Sequence, residues 1–418
     1  MLDINLIREN PQKVKEASLA KGVTVDTETI LKLDGEFQNL QREIQTIREE
    51  RNAFAKSITG KPTSEQVEKG KKIKEQLETK EKAFFEIESQ LKELLLQIPN
   101  PAKPDVKVGK DDSENEVIKT VGEPKKFSFK PKDHLELGES LGIIDVKKAA
   151  LVSGARFDYF LGDGALLENA LRQYAFDTLV AEGFIPVIPP VLIKKEIMEG
   201  LGYTAMGEAE NIFSLDKDGL YLVGTSEQSV VPLHMNDVLQ KEDLPRRYVS
   251  FSACFRREAG SYGKDTRGIL RVHQFNKVEM VSFVAEGEDD REHEYLLSLE
   301  EKFFESLGLP YQVVRICTGD LGFNAARKYD IEAWLPSQEK YREVTSTSTV
   351  TDFQSRRLNI RYQDGAERKY LSVLNGTAFS MNRPIIAILE NYQQEDGSVV
   401  IPEVLRKYMG KEKISISL

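Results

Sequence analysis

The spacing of apolar positions changes character along the chain. Ile30, Leu33, Phe37, Leu40, Ile44, Ile47, Phe54 and Ile58 follow one another on a grid of alternating three- and four-residue steps, with Arg51 in a polar slot of the same grid. That is the a/d seam of a heptad helix. A breaker cluster, Thr59-Gly60-Lys61-Pro62-Thr63-Ser64, interrupts it. A second seam runs through Gly70, Ile73, Leu77, Lys80, Phe84, Ile87, Leu91, Leu94 and Ile98, and Pro99, Pro101 and Pro104 stop it. Two such helices joined by a short breaker predict an antiparallel coiled-coil hairpin. Each arm would be roughly 45–50 Å long at about 1.5 Å per residue. A short helix around Pro11–Leu19 and a turn at Gly22 precede it.

Residues 104–130 are rich in Pro, Lys, Asp and Glu and read as a linker with one strand at Glu116–Val121. The pattern then turns globular. Ala165–Glu182 carries the 3.6-residue period of an amphipathic helix, closed by Gly183. A proline-punctuated strand, Phe184–Ile193, follows. Strands are expected up to Arg256 and over Leu270–Val284, Leu309–Ile316 and Tyr329–Leu335. Gly260–Gly268 holds three glycines and no period, so it reads as a loop joining the first two. The expected organisation is an arm over 1–103, a linker over 104–130 and a globular domain over 131–418.

Composition narrows the class. The chain has 418 residues and a net charge of −10, which argues against non-specific nucleic-acid binding by the whole surface. Arg51–Lys82 nevertheless carries nine Lys/Arg against five Glu. A basic distal arm fits contacts to an RNA backbone; a dimerisation coiled coil or a spacer fits the seam equally well. Cys254 and Cys317 have apolar flanks and are expected as reduced, buried thiols. The four histidines make no metal-binding spacing, so no protein-bound zinc is expected. No apolar leader and no run of eighteen apolar residues is present, so a cytoplasmic chain without a membrane span is expected.

The chemistry concentrates in Phe255–Met280, FRREAGSYGKDTRGILRVHQFNKVEM. Arginine forks at a strand end grip phosphate oxygens two at a time. Neither G-x-x-x-x-G-K-[ST] nor a strand-to-helix G-x-G-x-x-G occurs, so a nucleotide would be held by arginines on strands. Thr225-Ser226-Glu227 ends another strand. Such a triplet can hold a small ammonium or hydroxyl ligand, or simply cap a helix. Glu343 and Ser346 offer oxygen ligands of the kind Mg²⁺ takes beside substrate phosphates.

FRREAG…TRGILRVHQFNKVEM resembles motif 2 of the class II aminoacyl-tRNA synthetases, in the form carried by the bacterial-type seryl-tRNA synthetase family. The helix, glycine and proline-punctuated strand before it resemble motif 1, with Pro190 as the motif proline. Leu374–Met409, with Arg383 ahead of an apolar helix Ile385–Tyr392, resembles motif 3. The resemblance spans the whole chain in family order. It implies an α+β fold: an antiparallel β-sheet flanked by helices, preceded by the helical hairpin. It implies a homodimer through the region around Pro190, and ATP-dependent attachment of L-serine to tRNA(Ser), and to tRNA(Sec) where present, through seryl-adenylate. By that resemblance the catalytic residues are Arg256, Glu343 and Arg383. Arg256 would grip the α-phosphate, Glu258 would place the adenine, and Arg383 would face the γ-phosphate. Arg257, Val344 and Thr345 complete the ATP-binding set, and Glu343 and Ser346 would hold Mg²⁺. Thr225, Ser226, Glu227, Glu279 and Thr377 would surround the serine. The loop Gly260–Gly268 would touch the tRNA acceptor end and the arm the tRNA body. Two positions depart from the family pattern: Thr349 where an Asn is frequent, and Asn382 where a Gly is common and where Asn could adopt a positive φ. Two rival readings differ in what they require. An amino acid:carrier-protein ligase would be expected to lack the arm. A non-catalytic scaffold should have lost Arg256, Glu258, Glu343 or Arg383, and the chain keeps all four.

Overall fold

The computed structural model describes residues 2–205, 208–259 and 267–415. The chain divides into two units, Met1–Pro101 and Ala102–Leu418.

In the first unit, helices α1 (Ile4–Glu9) and α2 (Pro11–Leu19) precede two long ones, α3 (Thr27–Ser57) and α4 (Ser64–Leu96). Asp26 caps α3, and Thr63 and Gln66 form a reciprocal capping box on α4, which is why the breaker turns the chain so sharply. The seam behaves as its spacing requires. Ile30, Leu33, Ile44, Ile73, Leu77 and Leu91 are buried, and Phe37 stacks on Phe84 at 4.7 Å. Arg51, in its seam slot, is exposed. Helix α1 leaves no mark in the sequence pattern, because six residues are too few to show a period. It buries Ile7 in a cluster with Val14, Ile30, Leu33, Leu91, Leu95 and Ile98, and its Arg8 forks onto Asp34 with two bonds of 2.7 Å.

The second unit is built on eight strands. They are β1 (Glu116–Val121), β2 (Ile185–Val187), β3 (Arg246–Phe255), β4 (Gln274–Val284), β5 (Tyr311–Arg315), β6 (Arg327–Leu335), β7 (Lys340–Thr351) and β8 (Ser372–Ser380). Their order in the sheet is β1-β5-β6-β7-β8-β4-β3-β2. Every pairing is antiparallel except β2 with β3. The stretch 104–130 thus supplies one edge strand, β1. The strand expected over Phe184–Ile193 is split. β2 lies on the other edge, and Leu192–Lys194 pairs instead with Leu220–Leu222 in a small separate sheet. Pro189 and Pro190 stand between, without the N–H groups a continuous ladder needs.

Helices α5 (His134–Ser140), α6 (Asp163–Ala181), α7 (Asp289–Ser306) and α8 (Asn382–Tyr392) contribute, with the sheet, to one large apolar cluster. Val278 and Met280 of β4, Tyr329 and Ile331 of β6 and Leu374 and Phe379 of β8 join it. The alternate positions, Lys277, Glu279, Lys328, Asp330 and Thr377, point to the opposite, polar face.

Two β-bulges build that polar face. The register of β7 on β6 slips at Val344, so Glu343 lies opposite Glu332 while Ser346 lies opposite Asp330. Residues three apart on a regular strand face opposite ways; the extra residue puts Glu343 and Ser346 on one face. The second slip, at Ala378, sets Thr377 opposite Glu279 and Phe379 opposite Val278. Thr377 therefore joins the polar face while Phe379, two residues on, enters the core.

Candidate active site

Arg256 and Glu258 sit just past the end of β3. The Arg256 N–H donates to the His273 carbonyl at 2.9 Å, and the His273 ring lies 3.0 Å from the Arg256 carbonyl, so the outgoing and returning limbs are tied together. Arg256 Nε donates to the Gly224 carbonyl at 3.2 Å, and the guanidinium lies over the Phe275 ring at 5.3 Å. Among the described residues its Nη atoms make no hydrogen bond. Glu258 adopts φ +51°, and its carboxylate pairs with Arg271 at 3.2 Å. Arg257 goes elsewhere. It is exposed, donates from Nε to the Ile212 carbonyl at 2.8 Å and stacks on Phe213. Of the loop Gly260–Gly268, residues 260–266 lie outside the described residues.

Glu343 meets Arg383 across the polar face at 2.8 Å, and Arg383 also donates to the Glu343 carbonyl at 3.1 Å. Arg383 is the second residue of α8, where the helix dipole disfavours a cation. Glu343 is the anion that meets it. Burial pushes the Glu343 carboxyl up, but the charges of Arg383, Lys328 and Arg256 outweigh it and hold it well below the usual carboxylate range. Asp330, opposite Ser346, runs the other way. Burial lifts it to about 7, against the pull of Lys328 at 2.9 Å. Val344 is buried in the bulge, and the Thr345 hydroxyl donates to the Thr377 carbonyl, so these two shape the site from behind.

The other end of the face holds two hydrogen-bonded sets. Thr377 Oγ1 donates to Glu279 Oε2 at 2.9 Å, and Lys277 pairs with the same oxygen at 2.7 Å. Glu227 accepts from Tyr203 at 2.8 Å and from Gln354 at 2.9 Å. Burial raises its carboxyl, with Gln354 opposing and Glu279 reinforcing the rise. The Thr225 hydroxyl accepts from the Glu227 amide at 3.3 Å. Ser226 is set apart from this group: it is fully buried and its hydroxyl meets Ser250 at 2.7 Å.

The two departures from the family pattern resolve differently. Thr349 points to the helix side and donates to Asp289 at 3.0 Å. Asn382 is the first residue of α8, is not among the positive-φ residues, and donates to Asp158 at 3.2 Å. The positive φ considered for it does not occur, because the helix has already begun there.

Sequence reading missed Lys277, Asp330, Tyr203 and Gln354. Lys277 had a signal, since it stands two residues before Glu279 on a strand and must share its face. Tyr203 and Gln354 had none, because they come from segments far apart in sequence.

With this arrangement in view, the relatives of the chain are informative. Its residues 1–102 match the seryl-tRNA synthetase N-terminal domain, and residues 212–392 match the tRNA synthetase class II core domain (G, H, P, S and T). It is 46% identical to the serine–tRNA ligase of Acidothermus cellulolyticus over 99% of both chains. The chain belongs to the seryl-tRNA synthetase family. A second member, the serine–tRNA ligase of Thermobifida fusca, is also 46% identical over 99% of this chain and 98% of its own. The seryl-tRNA synthetase of Pyrococcus horikoshii, solved in complex with ATP, superposes with a TM-score of 0.91 at 41% identity over the full length of both chains.

Among the described residues of this family member, no helix is long and apolar enough to cross a membrane. No group of three or more His, Cys, Asp or Glu is placed to hold a metal there. One carboxylate and one hydroxyl sharing a face is a different donor set, the one that suits Mg²⁺ completed by phosphates and water.

Proposed function

We propose that this chain is a serine–tRNA ligase that activates L-serine with ATP and transfers it to tRNA(Ser), and to tRNA(Sec) where present. The observation that carries the reading is the polar face itself. Arg256, Glu343 and Arg383 form one electrostatic group at one end; at the other, Thr377 is hydrogen-bonded to Glu279, and Glu227 lies within the field of Glu279.

In the first step the serine carboxylate attacks the α-phosphorus of ATP and pyrophosphate leaves. Arg256 holds the α-phosphate with its Nη donors and Arg383 neutralises the far end of the triphosphate. Glu258, oriented by Arg271, reads the purine. No side chain acts as a covalent nucleophile; positioning and fixed charge lower the barrier. Glu343 and Ser346 would hold Mg²⁺, which when bound neutralises phosphate charge. Glu279 and Thr377 receive the serine hydroxyl, with Thr225 and Glu227 near its ammonium. Alanine would leave those buried polar groups unpaired and is rejected. In the second step a terminal tRNA hydroxyl attacks the adenylate carbonyl and AMP leaves. The basic distal arm binds the tRNA body in the cytoplasm. Two copies pair through the motif 1 region around Pro190, a reading supported by the apolar side chains of Ile188, Leu166 and Val180, which are 92%, 47% and 46% exposed.

The test is ATP–pyrophosphate exchange without tRNA across serine, threonine, alanine, glycine and cysteine. Exchange with serine alone is expected; exchange with none of them overturns the reading.

A further inference from the structure

His134 opens helix α5, and its ring sits where three segments meet. Its backbone N–H and its ring Nδ1 both reach Glu390 Oε1 of α8, at 3.1 and 3.2 Å. The other Glu390 oxygen accepts from the Ser337 amide at 3.0 Å. On the far side of the ring, Nε2 accepts from the Ile269 N–H at 3.3 Å. An accepting Nε2 defines the tautomer: the proton sits on Nδ1 and is donated to the carboxylate. His134 is 5% exposed and Glu390 fully buried, so water is a poor substitute for any of these bonds. The fit has no slack. Gly268 adopts φ +75°, and a Cβ there would collide with Nε2.

What the pin holds is the returning limb of motif 2. Ile269 stands two residues before Arg271, which orients Glu258, and four before His273, which is bonded to the Arg256 backbone. What it holds the limb to is α8, the helix whose first turn carries Arg383. We propose that His134 is a positioning residue of the ATP site: it pins the limb 267–273 to the motif 3 helix and so sets the spacing between Arg256 and Arg383. The inference rests on the ATP-site reading above. Neither ring nitrogen touches substrate. The ring acts through the two limbs that carry the arginines.

The experiment titrates ATP and serine separately in pyrophosphate exchange for wild type, His134→Phe and His134→Gln. Phenylalanine keeps the ring volume and removes both ring bonds. Glutamine restores an oxygen within reach of the Ile269 N–H. Loss of the buried pin raises the ATP KM about five- to tenfold in His134→Phe. The serine KM stays unchanged, and His134→Gln recovers most of the loss. An unchanged ATP KM in His134→Phe, or an equal rise in both KM values, overturns the proposal, because a general loss of folding does not separate the two substrates. Hydrogen–deuterium exchange on the wild type needs no variant to fold. The Ile269 amide is expected to be protected, and exchange at the rate of an open loop overturns the pin. Wild type with no serine-dependent exchange would instead sink the functional reading, while the amide protection still decides the pin.

Discussion

Leu77 in the arm and Thr377 in the sheet are buried to the same degree, at 6% and 5% exposure. They reach that burial by different routes. Leu77 is inside because it stands seven residues, two turns, from its seam neighbours Gly70 and Phe84. Nothing beyond α3 and α4 is needed to place it. Thr377 faces Glu279 only because β8 spends Ala378 on a bulge. Were Ala378 an ordinary paired residue of a regular strand, Thr377 and Phe379 would share a face, and either the hydroxyl would enter the apolar core or the phenyl ring the polar cleft. The arm is thus a periodic structure whose side chains can be exchanged for others of like size. The sheet is an aperiodic one whose polar face depends on two interruptions.

Substitutions should divide along that line. Arg256→Ala should lower serine-dependent exchange by about 10²–10³, with little change in melting, since on the proposed reading the residue provides charge at the reacting phosphate and not packing. Wild-type exchange in this variant would break the assignment. Leu77→Ala should cost the arm roughly 2–5 kcal/mol through the cavity it leaves. Exchange without tRNA should be unaffected, as should exchange after deleting Thr29–Ile98, while tRNA charging is lost in the deletion. Charging at the normal rate by the deleted chain would remove the RNA role from the arm. Thr377→Val should raise the serine KM roughly tenfold, the equivalent of about 1.4 kcal/mol for one buried hydrogen bond, and leave the ATP KM alone.

The smallest effect concerns Glu300, on the helix side of β8. It is fully buried, no side chain among the described residues hydrogen-bonds its carboxylate, and a Cβ at Gly376 would stand 2.9 Å from one of the oxygens. Burial pushes its carboxyl well above the ordinary 4.5. The folded chain then binds more protons than the unfolded one as pH rises past that value, so this group subtracts stability with rising pH. Glu300→Gln should melt on the order of 2 °C higher than wild type at pH 7.5 and no higher at pH 4. A difference that persists at pH 4 would assign the gain to packing instead.

The motif 2 arginines could be named from local pattern, at the end of a recognisable strand, and the glutamate of β7 and the arginine of motif 3 from the resemblance to the family. Their partners could not. The pairing of Arg383 with Glu343 joins positions forty residues apart, and the pairing of Gln354 with Glu227 joins positions 127 apart. Arg257 shows the converse: it stands beside Arg256 in sequence, yet neighbours at a strand end diverge, and its side chain lies on Phe213. Ser226, between Thr225 and Glu227 in sequence, diverges in the same way and its hydroxyl meets that of Ser250.

By itself the sequence determined the two heptad helices, the breaker between them, the polar and apolar strands and the identity of the charged groups, since these follow from periods of 3.5 and 2 and from side-chain chemistry. Tertiary structure alone decided which charges meet. A bulge shifts register by one residue and reverses the face of everything beyond it, and no local period carries that information. Cross-strand pairing did the rest, bringing Glu343, Ser346 and Asp330 together on one face, and Glu279 and Thr377 beside them.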